Sequence, residues 1–479
     1  MSERYLLAID NGSQSTKVSV VDEDGRVRAT AQRALRPYAT TPSGHVVHPD
    51  DDLWASVTTT CRQALELFEG DREQIVGVGL CTIRFCRALL DADGLLVEPV
   101  LSWMDRRVSL PHDAHDPRVA HVTTSSGYIT HRLTGRFLDT RANYQGLWPI
   151  DRRTGEWPID AAAYTATGMP RALLSDLVSP GELLGRVTPE AAETSSLPVG
   201  LPVYATANDK AVEALGCGLR DENTVLLSLG TYIAAMSVGS GSEAVDDGYW
   251  VNFGATPSEF LYESHGIRRG MWTVSWFRDL VADGPPSATS SEYSSFEQVL
   301  DSEASSVPPG CEGLMTLLDW LPPAEAPQRR GAILGFDGSQ GRGHVHRSIL
   351  EGIALTMRGH VTRMERSLDR CFTTLVVSGG GSRSDLFMQI LADVFNRPTR
   401  RTAMPDAAGL GAAISAAVGA GVHPDFDTAV ERMVHVGKTF EPNQTSAAAY
   451  TRIGAAYATL TEHTDPLFTQ VQALTGDWR

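Results

Sequence analysis

The hydrophobic pattern at the start of the chain predicts a β-hairpin, followed by a helix and a further strand. Tyr5 to Asp10 is a short apolar run, alternation resumes from Thr16 to Val21, and Val21 to Val27 has the composition of a tight turn. Residues 51–69 carry apolar side chains at helical spacing, and Ile75 to Leu80 is apolar throughout, as in a strand buried on both faces. This order of elements indicates an α/β domain.

A second copy of this opening begins about half a chain further on. Thr224 to Leu229 is apolar and β-branched, Gly230 can form the turn, and Tyr232 to Val238 resumes a strand. Gly230 lies 218 residues after Gly12, and a repeat at half the chain length is typical of duplicated domains rather than of a solenoid. The pattern therefore predicts a two-domain α/β protein.

The length of the chain agrees with two domains, because 479 residues exceed one ordinary domain. We place the boundary between Asp209 and Asp221, which gives an N-terminal domain of residues 1–215 and a C-terminal domain of residues 216–479. Residues 282–306 are rich in Ser, Pro and Glu, so we expect them to form a surface excursion from the second domain.

The composition argues against several classes of function. A net charge of −17 and a pI of about 5.2 argue against a nucleic-acid partner and an anionic membrane surface, both of which need a basic face. They do not argue against a nucleotide, which backbone amides hold locally. Six cysteines without a C-x-x-C pair, a first strand that no signal peptide precedes, and apolar runs too short for a bilayer predict a cytoplasmic protein with free thiols.

The turn between the first two strands is a candidate for phosphate binding. Asp10 ends a strand, and Gly12, Ser13 and Thr16 follow in a tight turn that continues into Lys17. Backbone amides of such a turn can hold phosphate, while the carboxylate faces Mg²⁺ or its waters. An ordinary Asx-type hairpin turn would have the same sequence pattern.

Two further glycine-containing turns could hold a nucleotide. Gly230 would let the backbone approach a phosphate, and Thr231 would offer a hydroxyl. The three glycines Gly379-Gly380-Gly381 lie between an apolar run and a helical pattern that begins at Asp385. By itself the turn at Gly230 is a weak signal, and a flexible turn is the alternative for the three glycines. Two phosphate turns at the starts of duplicated domains would grip a triphosphate from both sides of a cleft.

Asp209 is the candidate for a general base. It lies near the domain boundary, shortly before the helical pattern of Ala211 to Gly216. An acid at a helix start is commonly only a cap, but in a cleft beside a phosphate donor it could accept the proton of a substrate hydroxyl. Lys210 follows directly, and its cation would either lower the pKa of Asp209 or point away into solvent.

Taken together, these elements resemble the FGGY carbohydrate kinases, a branch of the actin-like ATPase superfamily. The resemblance runs essentially from end to end of the chain. Its most specific part is Gly331 to Phe336 followed by His344 to Glu351, which fits the second signature of the family except that Phe336 replaces an aliphatic residue. Further matching segments are Trp103 to Arg106, Arg132 to Gly135, Gly379 to Ser382, Met388 to Asp393 and Gly409 to Ala413.

The resemblance implies two duplicated actin-like (ribonuclease H-like) domains on either side of a cleft for ATP and sugar. It implies ATP and Mg²⁺ as cofactors, with Asp10 on the Mg²⁺ side, directly or through water, and Asp209 as the catalytic base; a homodimer is compatible with it. The residues that it implies for ATP and its phosphates are Gly12, Ser13, Thr16, Lys17, Gly230, Thr231, Gly379, Gly380, Gly381 and Asp385. Those that it implies for the sugar are Arg84, Trp103, Asp105 and Asp209.

Departures from the family concern the sugar pocket. The segment from Arg107 to His121 is short and lacks the first signature, a helix with Lys and Trp that lines the pocket in relatives. Cys81 to Phe85 replaces the Gln-Met-His-Gly of xylulose kinases and the Gln-Arg-Glu of glycerol kinases. Ser228 to Thr231 resembles the xylulose-kinase loop, so we expect a ketose, pentulose first. Glycerol, a tetritol or tetrulose and a hexulose stay open, as do an actin-like ATPase scaffold and a degenerate sensor of sugar or nucleotide.

Overall fold

The computed structural model describes residues 3–41, 43–282, 290–323, 325–404 and 406–475 of the chain. The strands of the N-terminal half are β1 (Tyr5–Asn11), β2 (Ser15–Asp22), β3 (Val27–Ala34), β4 (Ala39–Thr40), β5 (Val46–Val47), β6 (Ile75–Thr82), β7 (Ala88–Leu90), β8 (His121–Thr123), β9 (Leu138–Thr140), β10 (Asp176–Val178), β11 (Leu183–Arg186) and β12 (Pro202–Ala205). Its helices are α1 (Asp52–Leu67), α2 (Ser125–Thr134), α3 (Ala161–Thr167), α4 (Pro189–Ser195) and α5 (Asp209–Gly216).

The C-terminal half repeats the mixture of strands and helices. Its strands are β13 (Thr224–Leu229), β14 (Ile233–Gly239), β15 (Tyr249–Phe253), β16 (Phe260–Ser264), β17 (Met315–Leu317), β18 (Ala332–Leu334), β19 (Thr374–Ser378), β20 (Thr399–Thr402) and β21 (Val436–Phe440). Its helices are α6 (Gly270–Val281), α7 (Ser290–Ser305), α8 (Arg342–Leu368), α9 (Asp385–Phe395), α10 (Ala407–Gly419), α11 (Phe426–Met433) and α12 (Gln444–Thr475).

Each half is built on one large sheet, and the two sheets have the same plan. The first has the order β11-β12-β6-β1-β2-β3, and the second has the order β15-β16-β14-β13-β19-β20-β21. In both, the first strand pairs antiparallel with the next strand and parallel with a later one, which in turn pairs parallel with a third. The predicted α/β fold with a duplicated architecture is thereby confirmed.

The central strands are buried on both faces, as their apolar runs predict. In β1, Leu7 and Ile9 join the core that includes α1, whereas Leu6 and Ala8 point to the other face and join the core between the two sheets. In β13, Leu227 and Leu226 divide in the same way between the outer core of their half and the central one.

The layer between the two sheets is formed by α5 and α10. Their apolar residues share one buried core with the facing sides of both sheets. α10 packs against β1 and β6 of the first sheet and against α5. Glycines make this packing close, since a Cβ atom at Gly79 of β6 would collide with the carbonyl oxygen of Ala412, and one at Gly216 with that of Ala407. This contact fixes where α5 begins relative to both sheets.

Two predictions about local structure have different outcomes. The described part of the segment 282–306 is largely the helix α7, whose Leu300 and Ala304 are buried beside α8. The prediction that this segment is only a surface excursion is therefore wrong. Residues 283–289 lie outside the described residues. In the segment predicted to lack the first-signature helix, the 3-10 helix Arg106–Ser109 is followed by residues 110–120, which form neither helix nor strand. Among the helices that the structure describes, none is long and apolar enough to cross a membrane.

Candidate active site

The predicted site residues meet where parallel strands end. β1, β6 and β12 run parallel, so their carboxyl ends share one edge of the first sheet, which carries Asp10, Arg84 and the start of α5 at Asp209. β13 and β19 also run parallel, and the turns of Gly230 and Gly379 follow them at one edge of the second sheet. The arrangement puts each predicted loop at the edge where ligands bind in open α/β sheets.

A buried polar cluster joins the first turns of α5 to the edge of the second sheet. Lys210 Nζ donates to Glu213 Oε2 at 2.8 Å and to Ser228 Oγ at 2.7 Å. Ser378 Oγ donates to Glu213 Oε1 at 2.6 Å. Ser228 and Ser378 lie near the ends of β13 and β19, just before the turns of Gly230 and Gly379. The residues that follow Asp209 therefore hold the edge of the first sheet that carries Asp209 against the edge of the second sheet that carries the Gly230 and Gly379 turns.

The cluster also answers the question that the sequence left open for Lys210. Its ammonium does not point into solvent but lies against Glu213 and Ser228, and its charge still lowers the pKa of Asp209. Burial opposes the charge on both partners, yet their mutual attraction raises the pKa of Lys210 and lowers the pKa of Glu213. Glu213 itself was missed, although a Lys–Glu spacing of three residues on a helix was a readable signal.

We expect Lys210→Met to destabilise the protein by about 3 kcal/mol, because it leaves the largely buried Glu213 carboxylate, only 14% exposed, without its cation. Denaturant unfolding measures this change. Lys438→Met is the matched control, since Lys438 is 57% exposed and its pair with Asp385 lies at the surface, where such pairs contribute less than about 1 kcal/mol. The double variant Lys210→Met, Glu213→Gln should recover part of the loss. Equal losses of stability in the two single lysine variants would contradict a stabilising ion pair between Lys210 and Glu213.

Asp10 lies in an excess of negative charge. Burial raises the pKa of Asp10 to about 8, the carboxylates of Asp406 and Asp209 add to the rise, and Lys17 opposes it. Lys17 Nζ lies 3.4 Å from Asp406 Oδ1, which is the cap of α10. Asp406 was missed by the sequence predictions, although an aspartate before a small-residue helix is a recognisable cap. A cation at Asp10 would relieve this repulsion, so the donor set fits a magnesium ion.

The described residues do not form a complete metal cage. No group of three or more His, Cys, Asp or Glu side chains in the described part of the chain is arranged to hold a metal ion. This fits Mg²⁺ bound with a nucleotide, since that ion commonly uses one or two carboxylates together with phosphate oxygens and waters.

The residues predicted to bind phosphate in the turn after β1 differ in their exposure and in their hydrogen bonds. The Gly12 amide donates to the Ser15 carbonyl at 3.1 Å, so this amide closes the turn. Thr16 needs a correction: its side chain is fully buried and its hydroxyl bonds with Asn11 at 2.6 Å and with Ser56 of α1 at 2.5 Å. Thr16 therefore stabilises the interior and does not reach the cleft. Ser13 stays exposed in the turn.

The two predicted turns of the C-terminal half each keep an exposed position. Gly230 and Thr231 present their carbonyls to the amides of α6, at 3.2 and 2.8 Å, and the Thr231 residue is exposed. Gly379 has φ of +83°, and a Cβ there would lie 2.5 Å from the carbonyl oxygen of Leu229. An added Cβ at Gly380 would meet open space, so this position forms the exposed top of the turn.

Gly381 is buried, whereas Asp385 is exposed but already paired. A Cβ at Gly381 would press on Met271 and Leu229, so this glycine serves close packing. The Asp385 carboxylate binds Arg401 at 2.6 Å and Lys438 at 2.5 Å on the surface. Asp385 therefore lies beside the turn with both oxygens engaged.

Arg84 bridges the two halves next to Asp209. Its Nη1 and Nη2 donate to Glu263 Oε2 and Oε1 at 2.6 and 2.8 Å, and its Nε lies 3.7 Å from Asp209 Oδ1. Burial raises the pKa of Asp209, whereas the charges of Arg84 and Lys210 lower it. The following residue, Phe85, has φ of +63°, an uncommon backbone for an aromatic residue, of the kind that clusters at functional sites.

The two remaining sugar candidates have different surroundings. Trp103 is 49% exposed, and its side chain interacts with Tyr38, whose hydroxyl donates to the Ser13 carbonyl at 3.2 Å. Asp105 needs a correction, because it is buried and its oxygens accept from Arg107 and from the Val46 amide. Asp105 therefore fixes the shortened segment in place and is not available to a sugar.

A cavity of about 240 Å³ is lined by residues from both halves of the chain. Phe85 and Tyr144 contribute to its wall from the N-terminal half, and Trp250 and Asn252 contribute from the C-terminal half. Asn252 Nδ2 also donates to Glu263 Oε2 at 3.1 Å. The cavity wall therefore includes Phe85, which follows Arg84 in the chain, and Asn252, a hydrogen-bond partner of Glu263.

Comparison with models of known protein families shows to which family the chain belongs. The models for the N-terminal and C-terminal domains of the FGGY family of carbohydrate kinases match residues 5–114 and 111–216, and residues 225–420. The chain is an FGGY carbohydrate kinase. Kinases of this family use ATP as a substrate. The resemblance found in the sequence is thereby confirmed.

Relatives of this FGGY kinase cover nearly all of its length but differ in their names. The sugar kinase YgcE of Escherichia coli is 46% identical over 466 residues, which are 97% of this chain and 95% of that protein. The xylulose kinase of Lactococcus lactis is 25% identical over 489 residues, which cover 94% of this chain and 95% of that one. The structure of gluconate kinase from Lactobacillus acidophilus superposes with a TM-score of 0.84 at 17% identity, over 98% and 100% of the two chains.

Proposed function

We propose that this FGGY kinase transfers the γ-phosphoryl group of ATP to a hydroxyl of a small sugar or polyol, with Asp209 as the general base. The supporting observation is the position of Asp209, at the catalytic edge of the first sheet and tied through its neighbour Lys210 to the phosphate edge of the second. Its raised pKa suits a base, because a carboxylate with a low pKa holds a proton poorly.

In the proposed step, the acceptor hydroxyl gives its proton to the Asp209 carboxylate as its oxygen attacks the γ-phosphorus. The new bond joins the sugar oxygen to phosphorus, and the bond between the γ-phosphorus and the β–γ bridging oxygen breaks, so that ADP leaves with that oxygen. Phosphoryl transfer of this kind depends on positioning and charge neutralisation more than on covalent help from the protein.

On the nucleotide side, the proposal assigns the phosphates to the turns of Ser13 and of Gly230 and Thr231, and the adenosine to the glycine turn topped by Gly380. Asp10 would hold Mg²⁺, directly or through water. When bound, Mg²⁺ supplies charge neutralisation for the phosphate oxygens. Lys17 remains beside this site through its pair with Asp406.

For the acceptor, we propose a ketose, with a pentulose first. The xylulose-like loop of Ser228 to Thr231 and the relationship to the xylulose kinase of Lactococcus lactis support this choice. Arg84 and Trp103 are the residues proposed to contact the sugar together with Asp209. Glycerol, a tetritol or tetrulose, and a hexulose are the alternatives within the same reaction. A degenerate sensor is disfavoured by the presence of Asp10 and Asp209 in an assembled site.

The decisive experiment is a coupled assay of ADP release over panels of ketoses, polyols and sugar acids at saturating ATP and Mg²⁺. We expect ADP release to depend on the acceptor and to be fastest with a ketopentose. Phosphorylated product, identified by mass, distinguishes transfer from ATP hydrolysis. ATP turnover that is indifferent to every acceptor would contradict the kinase assignment, and a preference for another class would correct only the acceptor.

A further inference from the structure

Glu263 binds the one positively charged residue among the proposed sugar contacts. Both terminal nitrogens of Arg84 donate to the two oxygens of Glu263, and Oε2 accepts a further bond from Asn252. The Glu263 residue is fully buried in β16. A buried carboxylate in a bidentate pair is a permanent partner, because separating the pair would leave an uncompensated charge in the interior.

The other cations that act on the reaction centre are paired as well. Lys17 lies 3.4 Å from Asp406, and Lys210 lies 2.8 Å from Glu213. These pairs, with Arg84 and Glu263, supply the main charges that shift the pKa of Asp10 and Asp209. An acceptor with a carboxylate would therefore meet cations that are already matched, two aspartates, and the phosphates of ATP.

We propose that Glu263 makes the acceptor site selective for uncharged sugars and polyols by matching the charge of Arg84. This inference rests on the proposed function, in which the acceptor lies at Asp209. Arg84 keeps its Nε edge towards Asp209 and can donate a hydrogen bond to a hydroxyl from there. It does not offer the unmatched pair of terminal nitrogens that bind a carboxylate in bidentate geometry.

The first test uses the wild-type enzyme and acceptors that differ in one carboxylate. The pairs are glycerol with glycerate, xylitol with xylonate, and sorbitol with gluconate, each assayed for ADP release. We expect the neutral member to have the higher kcat/KM, by about 10-fold or more. A preference for the acids overturns the role of Glu263 while leaving the kinase assignment intact. No acceptor-dependent ADP release from any member or from a ketose removes the proposed function, and this inference with it.

The second test changes the charge and the shape of Glu263 separately. Glu263→Gln keeps the shape but leaves Arg84 unmatched, so the ratio of kcat/KM for acid over neutral acceptor should rise about 10-fold or more. Glu263→Asp keeps the charge but shortens the side chain, so its ratio should stay near that of the wild type. The ratio within one variant does not depend on the fraction of enzyme that is folded. An unchanged ratio in Glu263→Gln overturns the proposal.

A matched control removes a different carboxylate from the same half of the molecule. Glu259 precedes β16, is largely buried and pairs with Arg220, outside the group of charges that act on Asp209. Glu259→Gln should leave the acid-to-neutral ratio unchanged. An equal rise in Glu259→Gln and Glu263→Gln would show general loosening and overturn the proposal. If Glu263→Gln does not fold, the comparison of neutral and acidic acceptors on the wild-type enzyme still tests the proposal.

Discussion

Asp209→Asn is expected to lower kcat by about 10²–10⁴-fold, the range that a general base contributes. The asparagine keeps the size of the side chain and can still accept the bond from the Lys210 amide to Oδ1, which is 3.0 Å long. It cannot take up the proton of the acceptor hydroxyl, so the loss falls on the chemical step. The nucleotide turns are unchanged, and the Kd for ATP, measured by calorimetry, should therefore equal that of the wild type.

Asp160→Asn is the control for Asp209→Asn. Asp160 is also an aspartate at a helix start, where it accepts from the Ala162 amide at 2.9 Å, but it is exposed. This control should keep full activity. Since burial raises the pKa of Asp209 above the ordinary 3.8, wild-type kcat/KM at saturating Mg²⁺ should fall as the pH drops through that raised value. Near-normal turnover in Asp209→Asn would exclude Asp209 as the base.

The plan of the two sheets could be predicted because each central strand carries its signal locally. In β1, successive residues such as Leu6 and Leu7 face different cores, and a continuous apolar run indicates this burial on both faces. α7 was missed for the opposite reason. Its polar composition hides Leu300 and Ala304, which are four residues apart and therefore lie on one helix face.

The site residues at strand ends were predictable, but their partners were not. Asp10 and Arg84 follow recognisable strands, whereas Asp406 and Glu263 come from the other half of the chain, and no local pattern reports such pairing. Thr16 could have been excluded, since the period of two along β2 puts it on the face that packs against α1.

The most specific sequence motif of the family has a structural role here. In the segment His344 to Glu351, Arg347 Nε donates to Glu351 Oε1 at 2.7 Å, and the Tyr450 hydroxyl donates to the same oxygen at 2.7 Å. Glu351 also accepts from the Gly310 amide at 3.0 Å. The motif therefore identifies the fold through a buried network that includes none of the proposed acceptor contacts, so it carries no information about the acceptor.

Asp10→Asn is expected to raise the Mg²⁺ concentration needed for half-maximal activity by about 10–100-fold, the range found when a group that orients a metal site is lost. The asparagine fills the same space but no longer contributes a negative charge that a cation could neutralise. Titrations of activity with Mg²⁺ at fixed ATP measure the midpoint. Asp22→Asn is the control, because Asp22 lies at the far end of the same hairpin and binds Arg28 at 2.8 Å. Its Mg²⁺ midpoint should not move.

Stability gives a second readout for Asp10 that is independent of turnover. The pKa of Asp10 is raised from 3.8 to about 8 in the folded protein, so ionisation of Asp10 weakens the metal-free fold as the pH rises through this interval. Asp10→Asn removes that penalty, and the Tm without Mg²⁺ at neutral pH should rise even though activity falls. A residue that serves binding at the expense of stability behaves in this way. A lower Tm together with an unchanged Mg²⁺ midpoint would show that Asp10 is structural and not part of the cation site.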